Sequence, residues 1–130
     1  MPVSAQRAIN MVRAVHNHAT QLGIVVTVAV VDEGGRVVAL GRMDRARPMT
    51  IEIAVDKAYT AASFQVPTHE LATQASQPWF QSLMVSSQGK VMAAPGAFPI
   101  TDGDRVLGAI GVAGGTETQE QECCQIGLKA

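Results

Sequence analysis

Lys57 is the first residue in this 130-residue chain whose setting suggests chemistry. The sequence around it predicts a helix from about Met49 to Gln65, stopped before Pro67. On that helix Ile51, Val55, Ala58 and Ala62 form one stripe, and Ile53, Lys57, Thr60 and Phe64 form a second. A helix covered on one side only has no use for Ile53 and Phe64 on another. The pattern therefore predicts a partner subunit or a ligand over Lys57. An amine among apolar groups can act as base, nucleophile or anion anchor. The competing use is an ion pair, with Asp44 or Glu52 as partner.

A second group is basic. Arginine supplies seven of the ten Lys and Arg residues, and four of the seven fall within residues 36–47. Arg42, Met43, Asp44 and Arg45 follow one another at the end of an expected hairpin. The two guanidinium groups suit bidentate binding of a carboxylate, and Asp44 is the candidate acid–base partner of Lys57. Ion pairs that merely tie the hairpin end are the alternative. His16 and His18 share the first helix but point about 200° apart, so they cannot chelate one metal together. Each could ligate a metal singly, and packing beside the core is the plainer reading. His69 reads as a surface residue, and Asp32 as a turn former.

The third group is the run GAIGVAGGTETQ, Gly108–Gln119, with glycine at every third position of an apolar strand. Glycine weakens a strand interior, so repetition signals close approach of another backbone, a helix or a ligand. Pro95, Gly96 and Phe98 are read as one wall of a small-ligand pocket. The Gly114, Gly115 and Thr116 amides are its anion-binding floor, or a plain tight turn. Adjacent Cys123 and Cys124 read as packing residues, not a redox pair.

These residues need elements to position them. Ser4 caps a first helix that runs to about Leu22 and stops at Gly23. IVVTVAVVD and RVVALGRM form a hairpin about Asp32–Gly35. DRARP is a loop. Thr68 caps a short helix that Pro78 breaks, residues 79–85 fit no single pattern, and Lys90–Ala93 reads as a short strand. Residues 100–113 form a second hairpin about Asp102-Gly103. Thr116 and Gln119 form a capping box for the last helix. The whole is one α+β domain, residues 1–130, with an antiparallel sheet.

Composition narrows the function. The chain is 47% hydrophobic and 16% charged, with a net charge of −1. That is too little positive charge for a nucleic-acid binder, and so little charge overall that self-association is expected to cover part of the surface. MPVSAQRAIN lacks the apolar core of a signal peptide, and the longest apolar run is too short to cross a bilayer. A cytoplasmic location and no membrane partner are expected. No zinc-ligand spacing, dinucleotide loop or nucleophile elbow is present.

VVDEGG (30–35), GRMDRA (41–46), DKAYTAASF (56–64), APGAFPI (94–100) and GAIGVAGG (108–115), taken in order, resemble the GlcG/HbpS-like haem-degrading-domain family. The resemblance spans nearly the whole chain. It implies an α-β-α, profilin-like fold around a five-stranded antiparallel sheet, and homo-oligomers, dimers that build octamers. It implies haem as cofactor but carries over no iron ligand; from the residues themselves, His18 or His16 could each ligate the iron singly, and the Arg42–Arg45 segment could hold a substrate carboxylate or a haem propionate. Lys57 falls within the family's KA-TA motif. The chain departs from the family pattern at Gly96-Ala97-Phe98, which sets an aromatic ring by the expected pocket, and at Glu120, where aspartate is usual. Three functions stay open: a haem-binding or haem-degrading protein; a small metabolic enzyme acting on a carboxylate or imine; and a non-catalytic accessory or sensor module. The residues by themselves point to a small anionic ligand held between subunits.

Overall fold

The computed structural model describes residues 2–130. Four antiparallel strands form one sheet in the order β2-β1-β4-β3: β1 (Thr27–Asp32), β2 (Val37–Arg42), β3 (Ala97–Asp102) and β4 (Arg105–Ala113). Helix α1 (Ala5–Leu22) and helix α4 (Glu117–Leu128) pack together on one face, and α2 (Thr50–Phe64) covers the other. A 3-10 turn (Thr68–Gln74) and α3 (Pro78–Ser86) link α2 to β3.

The sequence pattern explains the central strands. Thr27–Val31 is buried throughout, as expected of a β-branched strand covered on both faces. Val28, Val30, Ile110 and Val112 meet Met11 and Val15 of α1 and the two cysteines of α4. On the opposite face the side chains are small: Ala29, Ala109 and Ala113 of the sheet face Ala54, Ala58 and Ala61 of α2. This lets α2 lie close on the sheet. A Cβ at Gly111 would stand 2.4 Å from the Ala54 carbonyl oxygen. The repeated glycines thus serve backbone contact, since Gly108 and Gly114 are approached in the same way by the Val31 and Val25 carbonyls.

Both hairpins, the Ser4 cap, the left-handed Gly23 stop and the capping box at Thr116 are present. The second turn falls on Gly103-Asp104, one residue later than expected, because Asp102 still pairs with Arg105.

Other expectations are corrected. The sheet has four strands among the described residues, not five. Lys90–Ala93 stays outside it because Thr60 engages groups a ladder would use: its hydroxyl accepts from the Met92 amide (2.9 Å) and shares its proton between the Asp56 carbonyl (2.7 Å) and the Lys90 carbonyl (3.2 Å). Residues 79–85 are helical, with Pro78 starting α3 instead of only ending the turn before it. Thr68 caps nothing; its hydroxyl accepts from the Ala97 amide (3.1 Å) and pins the start of β3. On α2 the expected Ala58 and Ala62 are buried, but Ala54, Lys57, Thr60 and Ala61 join them while Ile51 and Val55 lie half-buried at the flanks, because mostly small residues fit where the helix meets the sheet. Phe64 is covered from within the chain, its ring 5.7 Å from that of Phe80 on α3.

Candidate functional site

Two clusters collect most of the residues singled out in the sequence. The first centres on Lys57, beside the residues that lead into edge strand β3. Its side chain is 2% exposed, and its ammonium donates to Glu120 Oε1 (2.9 Å) and to the Pro95 carbonyl (3.1 Å). The other oxygen of Glu120 accepts from the Gly114 amide (3.0 Å) and the Gly115 amide (3.3 Å). The Thr116 amide donates to Gln119 Oε1 (3.0 Å) inside the capping box. The expected anion floor therefore holds the chain's own carboxylate and a capping amide. Glu120, with Glu117, supplies the negative charge at the N-terminus of α4.

Gly96 belongs to the same knot. Its φ is +116°, and a Cβ there would sit 2.5 Å from Lys57 Nζ and 2.9 Å from Glu120 Oε1. Gly96 leaves the space that the ion pair fills. Cys124 donates its S–H to the Gly96 carbonyl (3.3 Å). Complete burial pushes the Cys124 thiol far up, although Lys57 pulls the other way. Cys123 is raised to about 11 by burial, then by Glu122 and Glu120. Both remain neutral thiols, in keeping with a packing role. Phe98 stands on β3, partly buried against the core, with the His69 ring 5.7 Å away. The wall expected from Gly96 and Phe98 is thus part of the protein's packing.

The second cluster is a cleft of about 590 Å³ at the β2 edge, lined by His16, Thr20, Gly23–Val25 and Arg42–Arg45. The end of α1 forms one side, and the segment after β2 forms the other. Met43 fixes that segment: its amide donates to the Val26 carbonyl (3.0 Å), and its sulfur accepts from the Val26 amide (3.4 Å). Arg42 is aimed by a bond from its Nε to the Ala46 carbonyl (3.0 Å), which leaves its two terminal nitrogens free. Arg45 takes a left-handed backbone, φ +68°, at the turn. No ion pair joins Asp44 to Arg42 or Arg45 among the described residues, so these charges face the cleft and solvent.

The two histidines part company. His16 Nε2 donates to the Gly41 carbonyl (3.0 Å), which leaves Nδ1 with the ring's lone pair. Gly41 is glycine for steric reasons, since a Cβ there would lie 2.7 Å from His16 Cε1. His18 pairs instead with Glu122 of α4, a residue outside the cleft.

Asp44 and Lys57 are not paired: Lys57 bonds to Glu120 and the Pro95 carbonyl, and Asp44 has no ion-pair partner among the described residues. Sequence reasoning missed Thr20, Ile24 and Val25 as cleft residues and Glu120 as the partner of Lys57. The glycine of GRMDRA, between Leu40 and Arg42 inside an expected strand, was the available signal that a side chain crosses β2 at that point.

The three-layer fold and its motifs define a family. The chain matches the family model described as haem degrading protein HbpS-like over residues 3–129 and belongs to that family. It is 34% identical to the ORFY protein of Klebsiella pneumoniae, with a TM-score of 0.90 over 98% of this chain and 88% of that one. It is 31% identical to the corrinoid adenosyltransferase PduO of Citrobacter freundii over 100% of this chain, but spans only 39% of that protein. A solved complex of PduOC with haem superposes with a TM-score of 0.89 at 29% identity, over 99% of this chain and 94% of that one. No helix among the described residues is long and apolar enough to cross a membrane.

Proposed function

We propose that this protein binds haem in the cleft at the β2 edge, and that the Lys57–Glu120 knot is structural. The observation that carries the reading is the donor set of the cleft. His16 gives one ring nitrogen to a backbone carbonyl and keeps the other as a lone pair, the arrangement that orients a ligating imidazole. The free guanidinium nitrogens of Arg42 and Arg45 suit the two carboxylates of a porphyrin. Ile24, Val25 and Met43 supply apolar wall, and the volume is within the usual range for cofactor-sized ligands. His16 would hold the iron and the arginines the propionates. Bound haem would supply iron-centred redox or ligand-sensing chemistry. His18, the other candidate, is engaged with Glu122. The PduOC–haem complex supports the reading at the level of the family fold.

An acid–base enzyme built on Lys57 and Asp44 finds less support, since the lysine is sealed and paired with Glu120 and not with Asp44. Self-association as dimer or octamer is supported by the free β2 edge, where Val37 and Leu40 are exposed.

Titrating the protein with haemin tests the reading. A saturable Soret band is expected, together with a changed band position in His16→Gln, which keeps a donor toward Gly41 but removes the imidazole. A spectrum equal to that of free haemin would refute it.

A further inference from the structure

A second cavity, about 350 Å³, lies away from the haem cleft, between the β1–β2 turn, α2 and the segment that leads to β3. Gly34 to Val37, Val55, Asp56, Tyr59 and Lys90 line it. Each of its three walls is fixed by bonds within the chain. Asp32 Oδ1 accepts from the Gly34 amide (2.9 Å) and the Arg36 amide (3.0 Å), which sets the turn that carries Arg36. The turn rests on the Tyr59 ring: Gly35 has φ +78°, and a Cβ there would lie 2.5 Å from Tyr59 Cδ2. Lys90 is fastened to α2 through its own carbonyl, which accepts from the buried Thr60 hydroxyl. Among the described residues, the side-chain polar groups of Arg36, Asp56, Tyr59 and Lys90 have no hydrogen-bond partner within the chain.

Two cations, a carboxyl and a phenol on a rigid frame form a mixed-charge site. A plain anion would meet Arg36 and Lys90 favourably but would face the Asp56 carboxyl as well. A molecule with a carboxylate at one end and a hydroxyl or amino donor beside it satisfies all four groups: the cations take the carboxylate, and Asp56 and Tyr59 take the donor. We propose that this cavity binds a small hydroxy or amino acid, independently of the haem cleft. The carboxyl of Asp56 is raised above its usual range, by burial first and Glu52 second, with Lys90 opposing, and pairing with a donor would offset part of that cost.

The test uses three probes of nearly equal size: propionate, lactate and alanine. Each is titrated against the isotope-labelled protein while the backbone amides of Gly34, Gly35 and Val37 are followed by nuclear magnetic resonance. Saturable shifts at these amides are expected with lactate or alanine, at an affinity about tenfold above that of propionate. The preferred probe distinguishes a hydroxy acid from an amino acid. Asp56→Asn should remove the preference over propionate, and R36Q/K90Q should weaken every probe by about tenfold or more. Arg36 and Lys90 are exposed, so an unchanged melting temperature checks that the fold survives. No saturable shift with any probe, equal affinity for all three, or full binding by R36Q/K90Q would overturn the proposal.

Discussion

The lysine knot and the arginine cleft hold the same kinds of group and use them in opposite ways. In the knot, every strong charge has an internal partner. Lys57 meets Glu120, Glu120 meets two amides, and Gly96 makes the room. In the cleft, Arg42, Asp44 and Arg45 are left without ion-pair partners among the described residues, on a segment that Met43 holds in place. Burial and reactivity are therefore different signals. A buried, fully bonded lysine holds layers together, whereas exposed charges on a fixed backbone remain available to a ligand.

Glu120→Gln should have the largest effect. It leaves the Lys57 ammonium buried without a counter-charge, and about 3–5 kcal/mol of stability should be lost. The double variant K57M/E120Q removes both charges yet keeps an oxygen for the Gly114 and Gly115 amides, so much of the loss should return. Urea unfolding of the two variants reads both effects. Equal stability of Glu120→Gln and the parent would show that the pair does not bear on the fold.

Gly96→Ala should come next, costing about 2–3 kcal/mol through the positive φ and the collision with Lys57. The midpoint of thermal unfolding measures it. A variant as stable as the parent would mean that the knot has slack that the geometry does not show.

The smallest effect sharpens the contrast with a partly buried charge that has no pair. Asp56 has a folded pKa above its unfolded value of 3.8, chiefly through burial. An acid shifted upward favours the folded state most when protonated. Its contribution is thus fully present below the unfolded value and is lost as pH rises through the folded one. Asp56→Asn should make stability less dependent on pH in the mildly acidic range and slightly higher at neutral pH, in contrast to the loss on breaking the Lys57 pair. Denaturant midpoints across that range check the sign. A steeper slope in the variant would reverse it.

What was legible in the sequence was local. The caps at Ser4 and Thr116, the stop at Gly23, the two hairpins and the closely approached glycines follow from short-range rules. The arginine segment was visible as a concentration of charge because charges gathered at a hairpin end need no long-range knowledge, and they stand without ion-pair partners among the described residues. What failed depended on contacts far apart in the chain. Lys90–Ala93 has strand character, but Thr60, 30 residues earlier, takes its backbone bonds. Lys57 was expected to await a partner subunit, and Glu120, 63 residues later, supplies that partner. The different settings of His16 and His18 also needed the fold, since Gly41 and Glu122 are the partners it gives them. Phe64 seemed to call for an outside cover because nothing in its own helix predicts the ring of Phe80.

The division of labour between cleft and knot is tested most directly by one set of haemin titrations, on the parent, R42Q/R45Q and K57M/E120Q, followed at the Soret band. R42Q/R45Q should bind about tenfold or more weakly with an unchanged melting temperature, and K57M/E120Q should bind as the parent does. Full binding by R42Q/R45Q together with loss of binding in a folded K57M/E120Q would contradict the assignment and place the ligand at the lysine instead.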